Sequence, residues 1–156
     1  MRFILIDKVV AIEPGREIKT LKNVSLAEEY LADHFPTFPV LPGVMLLEGL
    51  IESASWLVRE TENFAHSMIL LEYARNVKYK SFLTPGDQIE YTVKAKKIDD
   101  NLSSFTGIGQ SNDQQVLEAK FALRHFNLAD ENAKMAATDA LVIENLKQRW
   151  KLLKNN

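Results

Sequence analysis

The chain has 156 residues, room for one domain with a sizeable core, and its 19 basic and 21 acidic side chains leave a net charge of -2. That balance supplies no field for nucleic acid or for a membrane surface, and neither is expected as a partner. It contains no cysteine, which excludes disulfides, thiolate metal sites and cysteine nucleophiles.

In chain order, residues 3–12 are apolar and β-branched and predict a strand, and Glu13-Pro14-Gly15 predicts a turn. Alternation over 17–23 predicts a second strand and so a hairpin. Ser25-Leu26-Ala27-Glu28 has the form of a capping box, opening a short helical turn that reaches Ala32. A loop over 33–41 follows, with prolines at 36, 39 and 42. Pro42 suits a first helical turn, where its missing N–H has no partner to lose. The helix predicted from Pro42 to Glu60 is apolar nearly all round, carrying Val44, Met45, Leu46, Leu47, Leu50, Ile51, Ala54, Trp56, Leu57 and Val58. Such a helix belongs inside a fold.

Strands are predicted over 66–73, 75–82, 88–99, 102–111 and 114–126. Thr84-Pro85-Gly86-Asp87, Asp99-Asp100-Asn101 and Ser111-Asn112-Asp113 separate the later ones. From 138 to 154 the period is helical again, with Val142, Leu146, Trp150 and Leu153 on one face and Lys147, Lys151 and Lys154 on another. Trp150 argues that this tail helix covers the body or docks on a partner. One long buried helix with a mostly antiparallel sheet around it is an α+β plan. The opening run of seven residues is too short for a secretion signal. The apolar stretch over 44–58 is broken by Glu48, Glu52 and serines and does not read as a membrane span, so a cytoplasmic location is expected.

The segment from His34 to Glu48 carries the chemistry. It holds a histidine in a proline-stiffened loop, a helix start at Pro42-Gly43, and a carboxyl group on an apolar helix. A histidine, with a reference pKa of ~6.5, is a natural general base. Val44, Leu47 and Ile51 surround Glu48 and should desolvate it, which favours the neutral acid. Any dipole effect favouring its anion fades after the first turn, so desolvation is expected to win. Glu52 lies one turn further on the same face, and its charge would help keep Glu48 protonated. The alternative for Glu52 is a hydrogen-bond acceptor at a polar interface. Backbone N–H groups at Gly43 and Val44 lie where a helix leaves its donors unpaired, suited to holding a carbonyl oxygen that gains negative charge. His34, His66 and His125 are too scattered to read as a zinc set, so no metal is expected.

These residues resemble the bacterial 3-hydroxyacyl-acyl-carrier-protein dehydratases of type II fatty acid synthesis. Phe3-Ile4-Leu5-Ile6-Asp7-Lys8-Val9 and Glu13-Pro14-Gly15 are similar to that family's opening strand and turn, and Lys22-Asn23-Val24 to its second strand. His34-Phe35-Pro36, Pro39-Val40 and Pro42-Gly43-Val44 are similar to its active-site loop, with Glu48 at its acidic position. Lys78-Tyr79-Lys80 and Pro85-Gly86-Asp87-Gln88 extend the resemblance, which runs from Phe3 to Phe126. Thr37-Phe38 stands where the family usually has Gly-His, and Glu52 where it usually has Gln.

The resemblance implies a hotdog fold over residues 1–127, with 128–156 as a C-terminal helical extension. It implies removal of water from a (3R)-3-hydroxyacyl chain on acyl carrier protein to give the trans-2-enoyl form, without a cofactor. It implies a homodimer joined edge to edge, in which His34 of one subunit faces Glu48 of the other, and assembly in many members into trimers of dimers. By the same resemblance the Gly43 N–H is the oxyanion donor. Phe38, Met45, Glu52 and Phe82 are candidates for the acyl tunnel, although aromatic and Met residues at such positions are more often plain core. Arg75, Lys78 and Lys80 are candidates for contact with the acidic carrier, or form a solvated strand face. Two rivals stand beside this reading: a hotdog thioesterase using Glu48 to activate water, and a non-catalytic relative that only binds acyl carrier protein.

Overall fold

The computed structural model describes residues 3–155. The predicted apolar helix runs over Gly43–Thr61 (α1). It is wrapped by six antiparallel strands: β1 (Lys8–Glu13), β2 (Glu17–Asn23), β3 (Met68–Tyr79), β4 (Gln88–Ile98), β5 (Leu102–Ser111) and β6 (Gln114–Phe126). The sheet order is β1-β2-β4-β5-β6-β3. Leu50, Ala54, Leu57 and Val58 of α1 are fully buried against Ile18, Ile89, Tyr91, Val93 and Leu117 of the sheet. A second helix, α2 (Ala136–Asn155), closes the chain. No helix among the described residues is long and apolar enough to cross a membrane.

Four elements differ from expectation. Pairing in the first strand begins at Lys8 rather than at residue 3, because the Leu5 N–H is taken up by the side chain of Glu52 on α1. The segments 66–73 and 75–82 form one strand, β3, broken in register at Leu71/Tyr73 and Arg75/Lys78. Asn76, at φ 52°, sits in the second bulge. The turn after Ser25 is a 3₁₀ helix over Glu29–Leu31. The reciprocal cap is missing there, since Ser25 Oγ accepts from Ala27 N–H and Glu28 binds Lys22 instead.

Gly49 lies mid-helix in α1, where a Cβ would collide with the buried ring of Tyr91. The absence of a side chain lets α1 settle close to β4. Gly49→Ala is expected to lower stability by about 1–3 kcal/mol through overpacking, despite alanine's higher helix propensity. Thermal or urea unfolding reads the change.

Helix α2 is fixed at both ends. Asp139, in its first turn, accepts hydrogen bonds from the N–H groups of Leu128 and Ala129 and from the Ser67 hydroxyl. These donors hold its carboxyl below the usual range even though burial opposes the shift. Near the other end Trp150 is buried, stacks on Trp56 with ring centroids 5.3 Å apart, and donates from Nε1 to Glu60 at 2.6 Å. Lys154 reaches the other oxygen of Glu60 at 3.1 Å.

Candidate active site

The loop before α1 is tied to itself and to the sheet. Phe35 and Phe38 exchange backbone hydrogen bonds, Val40 N–H donates to the His34 carbonyl at 2.9 Å, and Leu41 N–H donates to Leu83 at 2.8 Å. These bonds hold the half-buried His34 ring, which stacks on Phe35 with centroids 4.4 Å apart. His34 Nδ1 lies 3.1 Å from the Val40 carbonyl oxygen. A carbonyl only accepts, so Nδ1 carries a proton, and in the neutral ring Nε2 is the nitrogen that keeps a lone pair. The ring is thus held in the tautomer a general base requires.

Pro42 caps α1 without a side-chain hydrogen bond. The first intrahelical bonds run from Met45 and Leu46 to the Pro42 carbonyl. The N–H groups of Gly43 and Val44 have no acceptor among the described residues. A Cβ at Gly43 would sit 3.2 Å from the Tyr79 ring, a tight contact to which that ring would have to yield. An oxygen gaining negative charge would meet two free donors and the positive end of the helix dipole here.

Glu48 and Glu52 border one cavity of about 390 Å3. Ile51, Ile69, Leu70 and Leu71 supply its apolar wall, and Arg59, Leu146 and Arg149 also line it. Glu48 makes no hydrogen bond or ion pair among the described residues. Its carboxyl is raised above the ordinary range, first by desolvation and then by the charge of Glu52. Glu52 is also raised by burial, but Arg149 and the Leu5 N–H pull it back. Arg149 Nη2 lies 2.7 Å from Glu52 Oε1. Glu52 thus accepts hydrogen bonds from Leu5 N–H and Arg149, and its charge adds to the upward push on Glu48.

The other candidates are dispersed. Phe38 and Phe82 are more than half exposed and, like Met45, stand outside this cavity. Arg75 lies over the Tyr73 ring, 4.5 Å from its centroid. Lys78 and Lys80 each sit 2.9 Å from Glu118, whose carboxyl they hold down at about 2. Sequence reasoning missed Arg149, although the residue lies on the α2 stripe of Val142, Leu146, Trp150 and Leu153. A charge on an apolar stripe, far along the chain from an acid in an unusual position, was the available signal.

The fold brings two of the three histidines together. Strand β6 and the loop after α1 bring His66 and His125 together, ring centroids 5.5 Å apart. Glu62 lies between them, 2.9 Å from His66 Nδ1 and 2.8 Å from His125 Nδ1. The two histidines are 59 positions apart in sequence, so only the fold could show the cluster. It lies about 20 Å along α1 from Glu48, and His34 takes no part in it.

The model of the FabA-like domain family matches residues 1–120. The chain belongs to the FabA-like family. FabA-like relatives similar to it include the 3-hydroxyacyl-[acyl-carrier-protein] dehydratase FabZ of Fusobacterium nucleatum, 34% identical over 82% of this chain and 88% of its own length. The FabZ of Desulfotalea psychrophila is 35% identical over 76% of this chain and 80% of its own. Among solved structures, the dehydratase heterocomplex ApeI:P from Xenorhabdus doucetiae superposes with a TM-score of 0.70 at 16% identity, covering 85% of this chain and 90% of that one. The TT0310 protein from Thermus thermophilus superposes at 0.56 with 19% identity, over 76% and 91%. These likenesses bear on fold alone, and the fold of this FabA-like chain is the hotdog. The FabA-like match ends within β6, and α2 lies beyond it.

Proposed function

We propose that the protein removes water from (3R)-3-hydroxyacyl chains carried on acyl carrier protein, giving the trans-2-enoyl form. The observation that carries this reading is the His34 ring, its Nδ1–H fixed on the Val40 carbonyl and its Nε2 free. Nε2 takes the C2 proton while the thioester oxygen draws charge toward the N–H groups of Gly43 and Val44. The C2–C3 double bond forms as the C3–O bond breaks. Glu48 delivers its proton to the departing hydroxyl, which leaves as water. Proton return from the imidazolium to the Glu48 carboxylate resets the site. Desolvation, which holds Glu48 above its usual range, favours the protonated form this step consumes.

The reading includes a homodimer. In one chain no hydrogen bond or ion pair joins His34 to Glu48, and β3 ends the sheet with Leu70, Leu71, Tyr73 and Tyr79 exposed. An open apolar edge of that length calls for cover, and a second β3 would supply it. Phe38, Met45 and Phe82 would then add apolar surface for the acyl chain, with Arg75, Lys78 and Lys80 outside to meet the acidic carrier. The reading also carries a cytoplasmic location and a site complete without a cofactor.

The test is turnover of a panel of 3-hydroxyacyl-carrier substrates by native protein, with products identified by mass. Loss of one water from the carrier-bound chain is expected. Release of free acid would replace the reading with a thioesterase, and carrier binding without turnover would replace it with a binding role.

A further inference from the structure

Glu48 and Glu52 stand one helical turn apart and share a cavity, so their titrations are coupled and their neighbours decide which one keeps a proton. Those neighbours are unequal. Glu48 has no donor among the described residues. Glu52 has two: Arg149 Nη2 at 2.7 Å on Oε1 and Leu5 N–H at 3.2 Å on Oε2. Arg59, nine-tenths buried beside Trp56 with its guanidinium 5.4 Å from the ring, adds positive charge from α1 itself. Strand β3 faces the pair with only Ile69, Leu70 and Leu71. In the dimer proposed above, the partner's His34 would be the remaining titratable group, on the Glu48 side.

We propose that Arg149 is a positioning residue: by holding Glu52 as the carboxylate, it assigns the proton of the pair to Glu48. What that proton is used for rests on the dehydratase reading; the assignment itself does not. An amide at position 52 would carry no proton to misplace. A glutamate there calls for a cation, and the one that hydrogen-bonds it comes from α2, beyond the matched FabA-like domain. The helix is placed for this role. Trp150, the neighbour of Arg149, is clamped between Trp56 and Glu60 on the same helix that carries both acids. Pairing also makes a buried Glu52 charge affordable, because an unpaired one would neutralise itself.

The experiment is carbon-13 NMR of the full-length protein labelled at glutamate carboxyl carbons, titrated with pH. Glu48→Gln and Glu52→Gln identify the two signals. In native protein Glu52 is expected to ionise first, with Glu48 still protonated. Arg149→Met keeps the long stem and the apolar stripe but removes the charge. It is expected to move the proton toward Glu52 and to lower kcat about tenfold or more in the neutral range. Arg149→Lys should retain most activity, and Arg149→Met combined with Glu52→Gln should restore it, an interaction a double-mutant cycle isolates. Trp150 fluorescence checks that α2 stays docked. Glu52 holding its proton longer than Glu48 in native protein, or both titrations unmoved by Arg149→Met, would overturn the proposal. So would failure of Glu52→Gln to rescue. The expected titrations in a protein that dehydrates nothing would overturn the reaction and leave the proton assignment standing.

Discussion

Alanine at His34 is expected to lower kcat by about 10²- to 10⁴-fold while leaving the melting temperature nearly unchanged. The side chain is half-buried in a loop and contributes one hydrogen bond to the fold, worth about 1 kcal/mol. Its removal takes away the imidazole nitrogen proposed as the base. Glu48→Gln should be similarly inactive, having no proton to give. The pair also tests the shared site. A heterodimer of His34→Ala and Glu48→Gln chains has one site with both groups lost and one with both intact. Random exchange of subunits should therefore restore about a quarter of native activity. If each chain held a complete site by itself, mixing two dead proteins would restore nothing.

Trp150→Ala is expected to have the largest effect on stability, about 3–5 kcal/mol for a buried tryptophan. The loss combines the stack on Trp56, the hydrogen bond to Glu60, and the cavity left between α2 and α1. Denaturant unfolding measures it, and hydrogen exchange should show α2 opening first. Activity should fall with it, because a loosened α2 withdraws Arg149 from Glu52. Trp150→Phe, which keeps a ring to stack, should recover much of the stability but not the bond to Glu60.

The parts that were legible in the sequence are those set by local pattern. The apolar run after Pro42 predicted α1 to within a residue at each end, because a helix hydrophobic on all sides has few places to go. The β2 alternation and the later turns placed the sheet. His34, Gly43 and Glu48 could be picked out as candidates because they lie within one short segment. What escaped was long-range or irregular. β3 was split at residue 74 because its two bulges interrupt the alternation by which a strand is read. The Leu5 amide looked like ladder material because nothing local announces a carboxylate 47 positions away. Arg149 drew no reading at all, being 97 positions from its partner. The Glu62, His66 and His125 cluster was invisible for the same reason.

The two margins of the sheet are unlike, and the difference limits how far copies can add to one another. β3 offers twelve residues with an apolar, accessible flank. β1 is half as long and loses register at Val9/Ala11. A twofold pairing of β3 with its own copy uses up that margin on both chains at once. It leaves at each far end only the short, distorted β1, a poor template for another strand. In the proposed dimer strand addition would therefore stop at two chains, and any larger assembly would have to form through loops and helices rather than by lengthening the sheet.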